Sequence, residues 1–371
     1  LKKPRHGSKD GYARIREQAR VQVAGRQRRQ PVHELLDIDP GRGLTRLPEP
    51  SAGDISFDLE SDPFVGIHGL EYLFGFGTRS ADGQFEYQRR WAFTAAGEKA
   101  AFEWFVDFAM EQWKSFPSMH IYHYSPKEPS TLKTLMGRYA TREDAIDRML
   151  RAGVFVDLHS ITKQALRASV EQYSLKALEE FHGFQRKVPL DEARAAMRQV
   201  EHGLELARVT KIDADVCDAV EGYNADDCLS TFSLRDWLEG IRKIQIEAGV
   251  DIPRPGPQDG EPAEALNDRQ ARVAALVTAL TRDVPADETE RTEEQAARWL
   301  LANLLDWHRR EDKVAYWEKF RLRDLDDDEL RDERAAIAGL EFLDEIPPSG
   351  RDRLPTHRYS FPPQETNLQP G

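Results

Sequence analysis

Two carboxylates stand two residues apart in the segment 55–60, where Ser56, Asp58 and Glu60 alternate with Ile55, Phe57 and Leu59. A period of two is that of a half-buried strand. The apolar residues then share one face and the two acids the other, roughly 7 Å apart along the chain. Like charges held side by side repel, and a metal cation is the usual reason for placing them together. Far along the chain, Tyr223 and Asp227 lie four apart in a helical stretch and so share a face. Asp226 competes with Asp227 for the role of ligand, and the i+4 spacing from Tyr223 favours Asp227. An oxygen-only donor set of this kind suits Mg²⁺ or Mn²⁺ and the metal-assisted hydrolysis such ions support.

D-x-E in an early strand and Y-x-x-x-D in a late helix resemble the DEDD exonucleases of the RNase H-like superfamily, in their tyrosine variant. Between them, residues 119–137 (MHIYHYSPKEPSTLKTLMG) resemble that family's second motif, a strand followed by an acid at the start of a helix. Residues 154–182 resemble its connecting region. More narrowly, HYSPKE, YSLKALEEFHGF and YNADDCLST are similar to the YprB-type RNase H-like domain of bacterial proteins that fuse a RecB-like nuclease, this domain and a helicase. The resemblance covers about residues 53–243.

It implies an α/β fold, an RNase H-like mixed sheet flanked by helices, followed here by a smaller helical region. It also implies 3′–5′ exonuclease activity, on DNA and in a repair or helicase-coupled setting, with two Mg²⁺ or Mn²⁺ ions. Asp58 would bridge the ions, Glu60 and Asp227 would hold the one that activates water, Glu128 would serve the second, and Tyr223 would orient the attacking water. The helicase and RecB-like parts are expected partners within one protein. The second motif departs from the usual N-x-x-x-x-D: here it runs from His123 to Glu128, and Glu reaches one methylene further than Asp. His123 stands where an Asn contacts substrate, and reads equally as a packed strand histidine. Lys176 is a candidate phosphate contact, and Asp157 reads as a helix cap. The rival reading is a catalytically inactive nucleic-acid-binding or scaffold module of a larger helicase-nuclease. A RecB-type centre on Glu311-Asp312-Lys313 lacks the preceding strand and separate Asp it needs.

The 371 residues suffice for one large or two modest domains, with 40% hydrophobic and 32% charged residues. No apolar run approaches the roughly 18 residues of a membrane helix. Cys217 and Cys228 are the two cysteines, which fits a reducing cytoplasm and excludes a four-cysteine zinc site. The net charge is −13, yet residues 1–30 carry ten Lys and Arg against two acids, a local +8 that leaves −21 on the rest. The start, Leu1-Lys2-Lys3, is read as an internal cut from a longer protein. The expected organisation is a basic helix and Pro/Gly connector over 1–52, the exonuclease domain over 53–243, and a linker over 244–262. A helical region over 263–345 and an extended tail toward a helicase over 346–371 follow. Asp82-Gly83 predicts a hairpin between strands 70–78 and 85–93. Helices are predicted at 158–169, 190–208, 213–243 and, as one piece, 291–310.

Overall fold

The computed structural model describes residues 11–256, 258, 260, 264–285, 290–323, 325, 327–348 and 354–368. Residues 1–10 of the basic segment, parts of the 244–262 linker, Asp326 and the side chain of Leu266 lie outside the described residues. The chain divides into two compact units, Gln30–Glu311 and Leu1–Arg29 with Asp312–Gly371.

Helix α1 (Gly11–Arg28) belongs to the smaller unit. The larger unit opens with β1 (His33–Leu35) and a 3₁₀ turn (Gly43–Arg46). Then come β2 (Ile55–Asp62), β3 (Leu70–Arg79) and β4 (Phe85–Trp91), joined antiparallel. Helix α2 (Ala95–Ser115) leads to β5 (Ile121–His123), α3 (Lys127–Tyr139), α4 (Glu143–Arg151) and β6 (Phe155–Asp157). The sheet order is β4-β3-β2-β5-β6, with β5 and β6 parallel to β2. Asp157 caps α5 (Leu158–Ala165), its Oδ1 accepting from the His159 amide at 2.9 Å, as its position after a strand suggests. Strand β7 (Leu166–Ala168), α6 (Leu175–His182), α7 (Leu190–Glu205) and the 34-residue α8 (Ala214–Glu247) follow.

The alternation in β2 sorts the two faces. On one side Phe57 stacks on Phe105 of α2, ring centroids 3.8 Å apart, and Phe76 of β3 lies on the same helix against Phe105 and Phe108. Thr94 caps that helix by accepting from the Gly97 amide at 3.1 Å. The other face, which carries Asp58 and Glu60, is covered by α8. Gly75 of β3 pairs in register with Asp58. A Cβ on Gly75 would lie 1.7 Å from Asn224 Oδ1, so this glycine sets how closely α8 approaches the sheet.

Three local expectations change. The helix predicted over 158–169 stops at Ala165, because residues 166–168 pair antiparallel with 33–35. Tyr173 Oη locks the turn by accepting from the Ala168 amide and donating to the Leu166 carbonyl. Tertiary pairing outweighs local propensity there. The connector at 31–53 supplies β1, the 3₁₀ turn and the buried Leu44 and Leu47, its prolines and glycines punctuating short ordered pieces. The single helix predicted over 291–310 is two, α10 (Glu293–Leu304) and α11 (Trp307–Arg323), which follow α9 (Glu264–Thr281). Asp306 breaks it in the left-handed region at φ 58° and accepts from Arg269 and Arg309. In the smaller unit a short α12 (Asp327–Asp332) precedes a hairpin of β8 (Glu341–Ile346) and β9 (Thr356–Ser360). Those strands lie in the stretches read as helical region and extended tail.

The core of the larger unit reaches beyond 53–243. Ile252 is 3% exposed and packs with Leu44, Leu47 and Leu238, while Arg254 donates to the Leu47 and Pro48 carbonyls and pairs with Glu239. Deleting such side chains costs about 2–5 kcal/mol each. A fragment spanning 30–311 is therefore expected to melt cooperatively. A fragment spanning 53–249, which lacks Leu44, Leu47 and Ile252, is expected to unfold at much lower temperature. Thermal denaturation of both checks this, and equal melting temperatures would contradict it.

Candidate metal centre

Asp58 and Glu60 project from β2, and Asp227 meets them from α8, so that one oxygen of each lies within 4.8 Å of the others. Asn224, one turn before Asp227 and fully buried, ties helix to strand. Its Nδ2 donates to Asp58 Oδ2 at 2.8 Å and to Glu60 Oε1 at 3.3 Å, and its Oδ1 accepts from Tyr87 Oη at 2.8 Å. The acids are thus spaced by a neutral donor and the close approach that Gly75 permits.

Asp226 and Asp227 point to different work. Asp226 accepts from the backbone amides of Lys187 and Val188 at 2.8 and 3.1 Å, pinning the loop after α6. Asp227 joins the triad, which separates the two acids that the sequence left in competition. That loop delivers Arg186, whose guanidinium bonds Asp227 Oδ1 and is clamped by both oxygens of Glu179. Ser230 Oγ in turn donates to Glu179 at 3.0 Å. Lys176, in the first turn of α6 behind the Ser174 cap, places Nζ 2.5 Å from Asp227 Oδ2.

Residues 55–239 match the RNase_H_2 family model, described as RNase_H superfamily. This segment is an RNase H-like domain. No curated protein and no solved structure matches the chain significantly. The five-stranded mixed sheet with helices on both faces agrees with that assignment. Among the described residues, no helix is long and apolar enough to cross a membrane.

The electrostatics of the RNase H-like domain favour a cation among its three acids. Burial pushes the Asp58 carboxyl well above the usual range, reinforced by the charges of Glu60, Asp227 and Glu128. Burial and then Asp227 push Glu60 up to about 7, against the Asn224 hydrogen bond and the charges of Lys176 and Lys127. Carboxylates that resist ionising together are stabilised by a hard cation that takes oxygen ligands, so the donor set fits a divalent ion such as Mg²⁺ or Mn²⁺.

Of the other predicted residues, Tyr223 sits on α8 beside the triad, with Lys176 Nζ 5.0 Å and the Arg186 guanidinium 5.2 Å from its ring centre. Burial and Asp227 raise its phenol to about 12. Glu128 is 4% exposed at the start of α3 but is not one of the three converging acids. It accepts from Ser125 Oγ at 3.1 Å and lies 3.6 Å from His123 Nδ1. His123 is buried on β5, with Nδ1 2.6 Å from the Ser125 carbonyl oxygen. Burial pulls its pKa down, but Glu128 and Asp157 outweigh this and the net shift is upward. Glu311, Asp312 and Lys313 lie within α11, which directly follows α10.

Sequence reasoning missed Asn224, Glu179, Arg186 and Lys127. Asn224 carried a usable signal: a poor helix former in mid-helix, three residues before Asp227 and so on its face. Lys127, exposed beside Glu128, donates from Nζ to Ser61 Oγ at 2.8 Å at the end of β2. Arg186 stands in a loop without periodicity, and nothing local marks it.

Proposed function

We propose that the RNase H-like domain is a divalent-metal-dependent 3′–5′ exonuclease acting on DNA. The observation that carries this reading is the convergence of Asp58, Glu60 and Asp227 from a strand and a helix 169 positions apart. Members of the superfamily are generally nucleases that use divalent ions, which supports it. Asp58, Glu60 and Asp227 would hold the ion. A bound divalent ion supplies Lewis-acid stabilisation of the negative charge that builds on the phosphate. Tyr223, whose phenol stays protonated below about pH 12, orients the nucleophilic water by hydrogen bonding and does not deprotonate it. Lys127, exposed at the first turn of α3, lines the approach for the substrate backbone. We further read the domain as one part of a cytoplasmic protein that also carries helicase and RecB-like nuclease parts.

A 5′-labelled single-stranded oligonucleotide is the direct test. With Mg²⁺ it should shorten stepwise from its 3′ end, and excess chelator should stop this. Cleavage at internal positions, or none with either Mg²⁺ or Mn²⁺, overturns the exonuclease reading. Tyr223→Phe should lower kcat about 10–1000-fold, the range for one positioned hydrogen bond. Mn²⁺ affinity should stay unchanged. If this variant lost Mn²⁺ as fully as Asp227→Ala, the tyrosine would be a structural part of the ion site.

A further inference from the structure

We propose that this centre is built for one divalent ion and that the Lys176 ammonium occupies the place of a second positive charge. The inference rests on the metal-centre reading above, and it departs from the two ions implied by the resemblance. Three observations carry it. The first is the ligand count. Three acids converge among the described residues, and Glu128 is instead engaged by Ser125 and faces His123.

The second is the state of Asp227. Lys176 takes its Oδ2 at 2.5 Å and Arg186 its Oδ1, so both oxygens already face cations. These cations are not loose surface partners. The Arg186 side chain is 8% exposed and is gripped by Glu179, while Lys176 rises from the capped first turn of α6 and lies over the Tyr223 ring. The third is charge balance. The triad, Glu128 and Glu179 bring five carboxylates, and Lys127, Lys176 and Arg186 bring three cations. Two negative charges remain, which one divalent ion neutralises. A second ion would leave the buried site positive and in repulsion with Lys176.

In this arrangement Lys176 is a charge-compensating residue. Its ammonium, held against Asp227, would lie beside a bound ion, where a non-bridging phosphate oxygen of a bound nucleic acid would find a second cation. No bond forms or breaks at Lys176, and its proton stays in place.

The test titrates the full chain with Mn²⁺ alone, counting bound ions by electron paramagnetic resonance and calorimetry. The wild type should bind one Mn²⁺ per chain. Lys176→Met keeps the side-chain length and removes the charge. It should either admit a second Mn²⁺ or bind the first at least about tenfold more tightly, since a like charge next to the ion is gone. Lys176→Arg should behave as the wild type. Two Mn²⁺ per wild-type chain, or unchanged or weaker binding in Lys176→Met, overturns the inference. The wild-type count decides the matter even if Lys176→Met fails to fold. One Mn²⁺ per chain with the expected response of Lys176→Met supports the inference even if no oligonucleotide is cut, and that outcome removes only the nuclease reading. No bound Mn²⁺ removes both.

Discussion

Asp58→Asn is expected to abolish Mg²⁺-dependent hydrolysis, a loss of about 10⁴-fold or more, because several kcal/mol of charge stabilisation go with the ion. The same change should raise the melting temperature of the metal-free protein. The asparagine keeps a carbonyl oxygen to accept from Asn224 Nδ2, now 2.8 Å from Asp58 Oδ2, so the shape of the site is retained. What disappears is a carboxylate whose ionisation is resisted by its burial and then by the charges of Glu60, Asp227 and Glu128. Activity and stability therefore move in opposite directions, a signature that simple misfolding cannot imitate. The measurements are oligonucleotide hydrolysis and calorimetric melting in chelator. Full activity in Asp58→Asn, or a drop in its metal-free melting temperature, would remove Asp58 from the centre.

Glu60→Gln is expected to stabilise the metal-free protein by an amount that grows with pH. Glu60 has a folded pKa of about 7 against an ordinary value of 4.5. Below pH 4.5 the carboxyl is protonated in both states and contributes nothing. As the pH rises, the unfolded chain ionises first while the folded one holds its proton, so stability falls until the pH passes the folded pKa. The shift corresponds to about 3 kcal/mol in favour of the Gln variant above pH 7. The comparison must be a difference between variant and wild type. Burial lowers the pKa of His120 and of His182 to about 4, and each makes stability rise over pH 4 to 6.5, masking the Glu60 effect in the wild type alone. Saturating Mg²⁺ should reverse the sign, stabilising wild type over the variant at pH 8. A pH-independent difference in melting temperature would mean that Glu60 is not held among the other acids as described.

The sequence made the strand face of Asp58 and Glu60 legible, because a period of two over six residues admits few alternatives, and β2 has that face turned to α8. It also made the helical face of Tyr223 and Asp227 legible, since α8 runs unbroken through both. The central order of strands and helices followed from the same periodicities and from the Asp82-Gly83 turn, which joins β3 to β4. What remained hidden depends on distance in the chain. Nothing around Gly75 says that a helix 149 residues later will press an asparagine against it. Arg186 is unremarkable until the loop pinned by Asp226 carries it to Asp227. The pairing of 33–35 with 166–168 joins two segments too short to announce themselves as strands. Local rules read faces well, and they do not read which faces meet.

The hydrogen bond from Asn224 to Asp58 spans 166 positions, and this has a bearing on biogenesis. All five strands of the central sheet end by Asp157, whereas Asn224 and Asp227 come from the last long helix of the larger unit's sheet layer. A chain leaving the ribosome at about 5–20 residues per second exposes Asp58 on the order of 10–30 s before Asp227 exists. Through that interval the sheet has one acidic face without its cover, and neither Lys176 nor Arg186 has an Asp227 to hold. The ligand set closes only when α8 docks, so a nascent or truncated chain that stops before it carries two neighbouring acids and no ion site. Capacity to bind the ion thus becomes a report that synthesis has passed the helix and that folding has finished.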